Sequence, residues 1–259
     1  MIITVTDLVV AGIAAFAAGL VNAIAGGGTL LSFPALVGIG VPEVAANITN
    51  TVALCPGYFG ASVAQRKDLI GQGRRLAWLV PAGVAGGVAG GLLLVYVNAD
   101  IFRVLVPFLI LFASFLLAVQ GSVRAWIVSR RGQSPGVGDG TRDALIPTGF
   151  AAVYGGFFGA GVSIIVLSVL GLFISDTLAR LNALKQCVAF SCNVAAAVYF
   201  LFTGLVIWPV AGVMAVMAIA GGAAGGKIAG KIDQERLRWI IVVVGVILGL
   251  YFLARLVYP

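Results

Sequence analysis

The sequence predicts an all-α polytopic membrane protein made of two inverted repeats, each a broken or re-entrant helical hairpin followed by three transmembrane helices. Three observations predict it. The chain is 61% hydrophobic and only 10% charged, with a mean hydropathy of +1.12, whereas a soluble domain carries about 25% charged residues. Long apolar runs are interrupted twice by glycine-rich breaks, Ala25–Gly28 and Gly155–Gly161. The basic residues are confined to a few short polar stretches between those runs, a pattern that reads as membrane topology rather than as a nucleic-acid surface.

Taken in order, the apolar segments are 8–24, 28–39, 44–64, 75–97, 101–123, 144–158, 161–173, 177–204, 207–228 and 237–257. A full helical span needs about 20 residues. Segments 28–39 and 161–173 fall short of that, and each follows a glycine break, so each is expected to be the second arm of a broken hairpin. The first break, Gly26-Gly27-Gly28, is expected near the middle of the bilayer. A glycine inside a helix costs about 1 kcal/mol relative to alanine, and in lipid the freed backbone groups must find protein or water partners. The start, MIITVTDLVVAG, lacks the basic region of a signal peptide, so 8–24 is expected to belong to the mature protein.

The two breaks are related. Gly26 and Gly28 recur as Gly159 and Gly161, Glu43 as Asp176, Ala46 as Ala179 and Thr49 as Asn182, all at an offset of 133 residues. This divides the chain into an N-terminal repeat (1–123), a linker (124–143) and a C-terminal repeat (144–259).

Most of the 16 Lys and Arg residues lie in three regions. These are Arg66, Lys67, Arg74 and Arg75; Arg124, Arg130, Arg131 and Arg142 around the linker; and Lys227, Lys231, Arg236 and Arg238. The positive-inside rule makes these regions cytoplasmic and puts both termini outside. Segment 44–64 then runs inward and 177–204 outward, so corresponding helices run in opposite senses. Inverted repeats with discontinuous helices are the architecture of many secondary transporters, with the site near the midplane at the repeat interface. Trp78, Trp126, Trp208 and Trp239 fall near span ends, as interfacial anchors do.

The candidate site follows from the breaks. If 29–39 and 162–173 are half-helices, their unbonded N–H groups and positive dipole ends face a common space, which is an anion site. Gly26, Gly27, Gly28, Gly159 and Gly161 form the turns, and Thr29 and Ser163 add hydroxyls. Asn22, Asn50 and Thr51 are polar side chains at membrane depth on one side. Lys185, Gln186 and Asn193 would line the other, with Lys185 as a fixed positive charge. For Lys185 the competing reading is snorkelling beside Arg180; for the asparagines it is interhelical hydrogen bonding. Gly86, Gly87, Gly90, Gly91, Gly221, Gly222, Gly225 and Gly226 are expected to be packing glycines. Glu43 and Asp176 suit helix starts, with proton coupling as the functional alternative.

The sequence has no His, and the three cysteines, Cys55, Cys187 and Cys192, lie in apolar segments without disulfide or metal spacing. No cofactor and no catalytic residues are expected, and the chain is read as no enzyme. The membrane potential can supply the driving force: a dianion leaving a negative-inside cell gains about 4–5 kcal/mol per 100 mV.

The stretch GLVNAIAGGGTLLSFPALVGIGVPEVAANITNT (19–51) resembles the signature of the sulfite exporter TauE/SafE family: Asn, a glycine run, Pro-Ala-Leu, then a Thr/Asn pair. GFFGAGVSIIVLSVLGLF (156–173) resembles its weaker second copy, departing from it with Ser163 after the glycines and Leu167 opposite Pro34. The resemblance implies export of sulfite, sulfoacetate or a related organosulfonate across the inner membrane. Another small anion such as a carboxylate, or a channel-like pore, are the alternatives. The expected partners are the anion and the bilayer, with a homo-oligomer compatible and no nucleic acid.

Overall fold

The computed structural model describes residues 3–129, 140–228 and 232–257. Arg130, Arg131 and Lys231, and half of the expected linker at 124–143, lie outside the described residues. Ten α-helices and one 3₁₀ turn (Arg66–Leu69) account for nearly all of the described chain, and no strand occurs in it. The helices are α1 (Val5–Ile24), α2 (Thr29–Gly38), α3 (Glu43–Ala64), α4 (Gly73–Tyr96), α5 (Ala99–Ser129), α6 (Leu145–Phe157), α7 (Val162–Phe173), α8 (Leu178–Leu201), α9 (Trp208–Ile228) and α10 (Gln234–Val257).

Among the described residues, six helices are long and apolar enough to cross a membrane: α1, α4, α5, α8, α9 and α10. Their outward faces carry large apolar side chains such as Phe115, Val216 and Ile247, each more than half exposed, which water would not tolerate in a monomer. The chain is therefore a multi-pass membrane protein. α3 has the length of a span, 22 residues, but its first half carries Asn47, Thr49 and Asn50, all buried. It packs against α8 and α9 in the interior, where Asn47 Nδ2 donates to the Phe157 carbonyl and the Thr49 hydroxyl accepts from the Ile207 N–H, partners that lipid could not supply.

Two boundaries differ from the sequence reading. α5 continues through Arg124 to Ser129, so the helix takes the first part of the expected linker. α1 has 20 residues, about 30 Å of helix, so the first glycine break closes a full-length arm. α2, α6 and α7, with 10, 13 and 12 residues, are half-length.

Glycines decide how closely the helices approach. α1 lies along α9, and α6 along α4. A Cβ on Gly221 would come 2.0 Å from the Phe16 carbonyl oxygen, and one on Gly90 would come 2.0 Å from that of Val153. Real Cβ atoms do not approach backbone so closely, so only glycine fits these crossings. Gly12 faces Val213, Gly19 faces Ala218 and Gly225 faces Leu20; the numbers rise together, so α1 and α9 run parallel. Gly86 faces Gly149 and Gly90 faces Val153, which makes α4 and α6 parallel too. Of the eight expected packing glycines, Gly226 faces open space and Gly222 makes only a 3.8 Å contact. The Gly222 contact is to the Gly19 carbonyl oxygen of α1 at ordinary van der Waals distance, so a Cβ would fit there.

Candidate functional site

Both breaks are built from glycines in the left-handed region, which residues with a Cβ avoid. Gly26 and Gly27 have φ of +84° and +88°, and Gly159 and Gly161 have +80° and +79°. The preceding helices end alike. The Gly26 N–H donates to the Val21 carbonyl at 2.9 Å, and the Gly159 N–H donates to that of Tyr154 at 3.2 Å, an i to i−5 closure that satisfies a terminal carbonyl. The following helices begin alike: the Leu31 N–H reaches Gly28 O and the Ile164 N–H reaches Gly161 O, both at 2.9 Å.

The turns differ at two positions: Gly27 is left-handed where its counterpart Ala160 is not, and the next residue differs in the opposite sense. Gly28 is right-handed, with φ −57°, whereas Gly161 is left-handed. Gly28 is glycine for a steric reason: its Cβ would come 2.3 Å from the Ala18 carbonyl oxygen.

The two turns meet the same stretch of α5. A Cβ on Gly27 would come 3.0 Å from Leu117 Cδ2 and 3.7 Å from Ile241 Cγ2 of α10. One on Gly161 would come 3.1 Å from Leu116 Cδ1 and 3.6 Å from Ala113 Cα. The first arm also touches the second turn directly. Phe33 stacks edge-on against Phe158 with ring centroids 5.4 Å apart, and Asn47 Nδ2 donates to the Phe157 carbonyl at 2.8 Å.

Among the described residues, the N–H groups of Gly27 and Thr29 at the first turn make no hydrogen bond, nor do those of Ala160, Gly161 and Ser163 at the second. The hydroxyls of Thr29 and Ser163 make none either. These are the unsatisfied donors that a helix start presents. The Gly28 N–H is different: Asn22 Oδ1 accepts it at 2.8 Å. Asn22 thus engages the first turn through its carbonyl oxygen, which accepts one of the turn's own amides.

The remaining residues are placed as follows. Asn50 is buried and its Oδ1 lacks a partner. The Thr51 hydroxyl donates back to Asn47 O at 2.9 Å. Asn193, also buried, donates to Ala189 O at 2.8 Å, so both side chains are partly consumed by their own helices. Lys185 and Gln186 are half-buried. Lys185 and Asn193 are eight residues apart on α8, about 12 Å along its axis, so one small anion does not touch both. Cys192 acts as packing: its thiol donates to Ala152 O at 3.2 Å.

Sequence reasoning missed two groups. Asn47 joins α3 to the second turn; its place in the run Asn47, Thr49, Asn50, Thr51 was the available signal. Arg124 and Arg238 were read as topology charges, but both lie on helices, with Arg238 only 13% exposed.

Asp176, at the α7–α8 connection, is held by Arg75 and by Arg180 at 3.0 Å, and accepts from the Thr177 N–H at 2.7 Å. Burial pushes its carboxyl up, but the Thr177 amide and the two arginines outweigh it and hold it below the usual carboxylate range. Its stabilising contribution is thus in force above the free-carboxyl pKa and is lost only as pH falls below it. A carboxyl held below the usual range is ionised near neutrality, which favours the structural role over proton coupling. Asp176→Asn is expected to cost about 2 kcal/mol by leaving two guanidinium groups underpaired, a fall in Tm of about 4–8 °C. The transport pH profile between 6 and 8 should not change; a shifted profile would reinstate proton coupling.

Residues 11–252 match the family model described as Sulfite exporter TauE/SafE. The chain is similar to the probable membrane transporter protein YfcA of Escherichia coli (strain K12), 28% identical over 94% of this chain and 87% of that one. It is also similar to a probable membrane transporter protein of Haemophilus influenzae, 28% identical over 94% of this chain and 91% of that one. A third relative, probable membrane transporter protein ORF9 of Sinorhizobium sp, is 28% identical over 95% and 92%. No solved structure matches. With the glycine turns of both halves falling inside the matched region, the chain belongs to the sulfite exporter TauE/SafE family of membrane transporters.

Proposed function

We propose that the protein exports a small sulfur-containing anion (sulfite, sulfoacetate or a related organosulfonate) across the inner membrane, with the anion held between the two glycine turns. One observation carries the reading. Two sets of unbonded N–H groups, at Gly27 and Thr29 and at Ala160, Gly161 and Ser163, flank residues 113–117 of α5. Backbone amides at a helix start favour an oxyanion without fixed charge, which leaves the anion able to dissociate on the far side.

The inverted repeat is part of this reading, and the packing supports it. Pairing α1 with α6, α2 with α7, α3 with α8, α4 with α9 and α5 with α10 turns the α1–α9 contact into α6–α4. It turns α3–α9 into α8–α4 and α5–α7 into α10–α2, and the α5–α10 and α3–α8 contacts map onto themselves. A two-fold relation between the halves has this signature, and the charge pattern favours an axis in the membrane plane. Each half thus lends its hairpin to the other, and the site lies where they cross. Basic residues at 66–75 and 227–238 put that end of the bundle in the cytoplasm, with both chain termini outside.

The reading is tested by efflux from proteoliposomes loaded with sulfite. Saturable efflux, accelerated by an inside-negative potential and competed by methanesulfonate but not by acetate, is the expected result. Flux that never saturates would replace the carrier with a pore, and preferential competition by acetate would make the substrate a carboxylate.

A further inference from the structure

We infer that Arg124, Lys185 and Arg238 form an oxyanion-binding cluster beside the first glycine turn, at the end of the bundle where α5 closes and α10 opens. The first observation is position. The Arg238 guanidinium lies on the backbone of α5: a Cβ on Gly121 would come 2.8 Å from its Nη1. Gly121 is one turn before Arg124, and Arg124 stands within electrostatic reach of both Arg238 and Lys185.

The second observation is missing partners. The Nε atoms of Arg124 and Arg238 are buried without an acceptor, and so is Asn182 Oδ1, one turn before Lys185, without a donor. Among the described residues, Arg124 and Lys185 make no hydrogen bond and no ion pair; Arg238 makes one ion pair, to Glu235 at 3.2 Å, whose side chain is 72% exposed, and lies 5.8 Å from the centroid of the Trp239 ring. Arg124 lies between two further cations, and the buried Nε donors of Arg124 and Arg238 are idle, an arrangement that a polyoxygen anion relieves, because a guanidinium fork matches two oxygens of one sulfur or phosphorus centre.

The third observation is register. Gly27 rests on Leu117 and Ile241. Gly121 is one turn along α5 from Leu117, and Arg238 one turn along α10 from Ile241, so the cluster begins roughly 5 Å below the turn on the same seam. It would receive the anion before the uncharged amides do; that role, though not the binding, rests on the transport reading above. Fixed charge here raises local anion concentration, while the neutral turns beyond it keep release fast.

The test is binding of sodium sulfate, a dianion, and sodium methanesulfonate, a monoanion, to purified, lipid-stripped full-length protein. Arg124→Gln, Lys185→Gln and Arg238→Gln are each expected to weaken sulfate binding about tenfold or more and methanesulfonate binding less. Each should also raise Tm in the absence of anion, since it removes repulsion. Native mass spectrometry with phosphatidylglycerol supplies the second arm. Lipid retention by the parent protein and its loss in the Gln variants, without sulfate binding, would make the bound oxyanion a headgroup. Variants that bind sulfate and lipid like the parent, at unchanged Tm, would overturn the cluster. If they do so while Gly27→Leu still abolishes efflux, only this inference falls. If they lose sulfate binding but the parent protein moves no anion, the cluster stands and the transport reading falls.

Discussion

Gly221→Leu is expected to separate α1 from α9 and to lower Tm by about 6–12 °C. At this crossing even a single Cβ would lie 2.0 Å from the Phe16 carbonyl oxygen, with the Phe16 Cα at 3.0 Å. The obstacle is backbone, not the end of a flexible side chain, so the helices must move apart rather than repack. Between helices in lipid no hydrophobic force compensates, and association rests on van der Waals contact and close approach. Overpacking typically costs 1–3 kcal/mol, and a backbone obstacle belongs at the upper end. At about 2–4 °C per kcal/mol for a chain of this size, the expected fall follows. Gly226→Leu is the control: five residues on, its Cβ would meet nothing within 4 Å, and Tm should stay within about 1 °C. Equal effects at the two positions would mean that α9 presents a different face to α1.

That contrast marks how far local pattern reaches. Glycine spacing and apolar length were enough to place all ten helices and both breaks, because in a membrane the length of a span and the cost of an unsatisfied backbone group are set by the solvent. Which glycines of the set Gly221, Gly222, Gly225 and Gly226 face a partner depends on the helix's rotation about its axis. That is fixed by α1, some 200 residues earlier in the chain. The same holds in the site. Asn22 is visible as a polar residue at depth, but its acceptance of the Gly28 N–H depends on the turn bringing an amide back over α1. Asn47 reaches the Phe157 carbonyl across 110 residues of chain, a contact between the two halves that no local signal encodes. Arg238 resembles any basic residue at a span end until Gly121 is seen beneath it. Helix positions and breaks were legible; which atom each polar side chain meets was not.

Gly27→Leu is the change that should most directly silence transport. The position is left-handed, with φ +88°, where a side chain costs about 1–2 kcal/mol. Its Cβ would come 3.0 Å from Leu117 Cδ2. Because that neighbour is the end of a flexible side chain, the bundle can adjust and the variant should still fold, with Tm lowered by about 3–6 °C. The turn itself cannot adjust without losing its shape, since Gly26 and Gly27 are both left-handed and the Gly27 and Thr29 N–H groups stand unbonded beside them. Four leucine carbons would then fill the space in front of those amides with apolar surface, and an anion entering it would lose its water for no donor in return. Desolvating an unpaired charge costs far more than any single hydrogen bond supplies, so efflux should fall at least a hundredfold. Gly26→Ala separates strain from occlusion: it meets nothing within 4 Å but has φ +84°, so it should lower Tm comparably and reduce efflux only a few-fold. If Gly27→Leu transports like the parent protein while folded, the anion does not pass this turn, and the shared stretch of α5 between the two turns is packing alone.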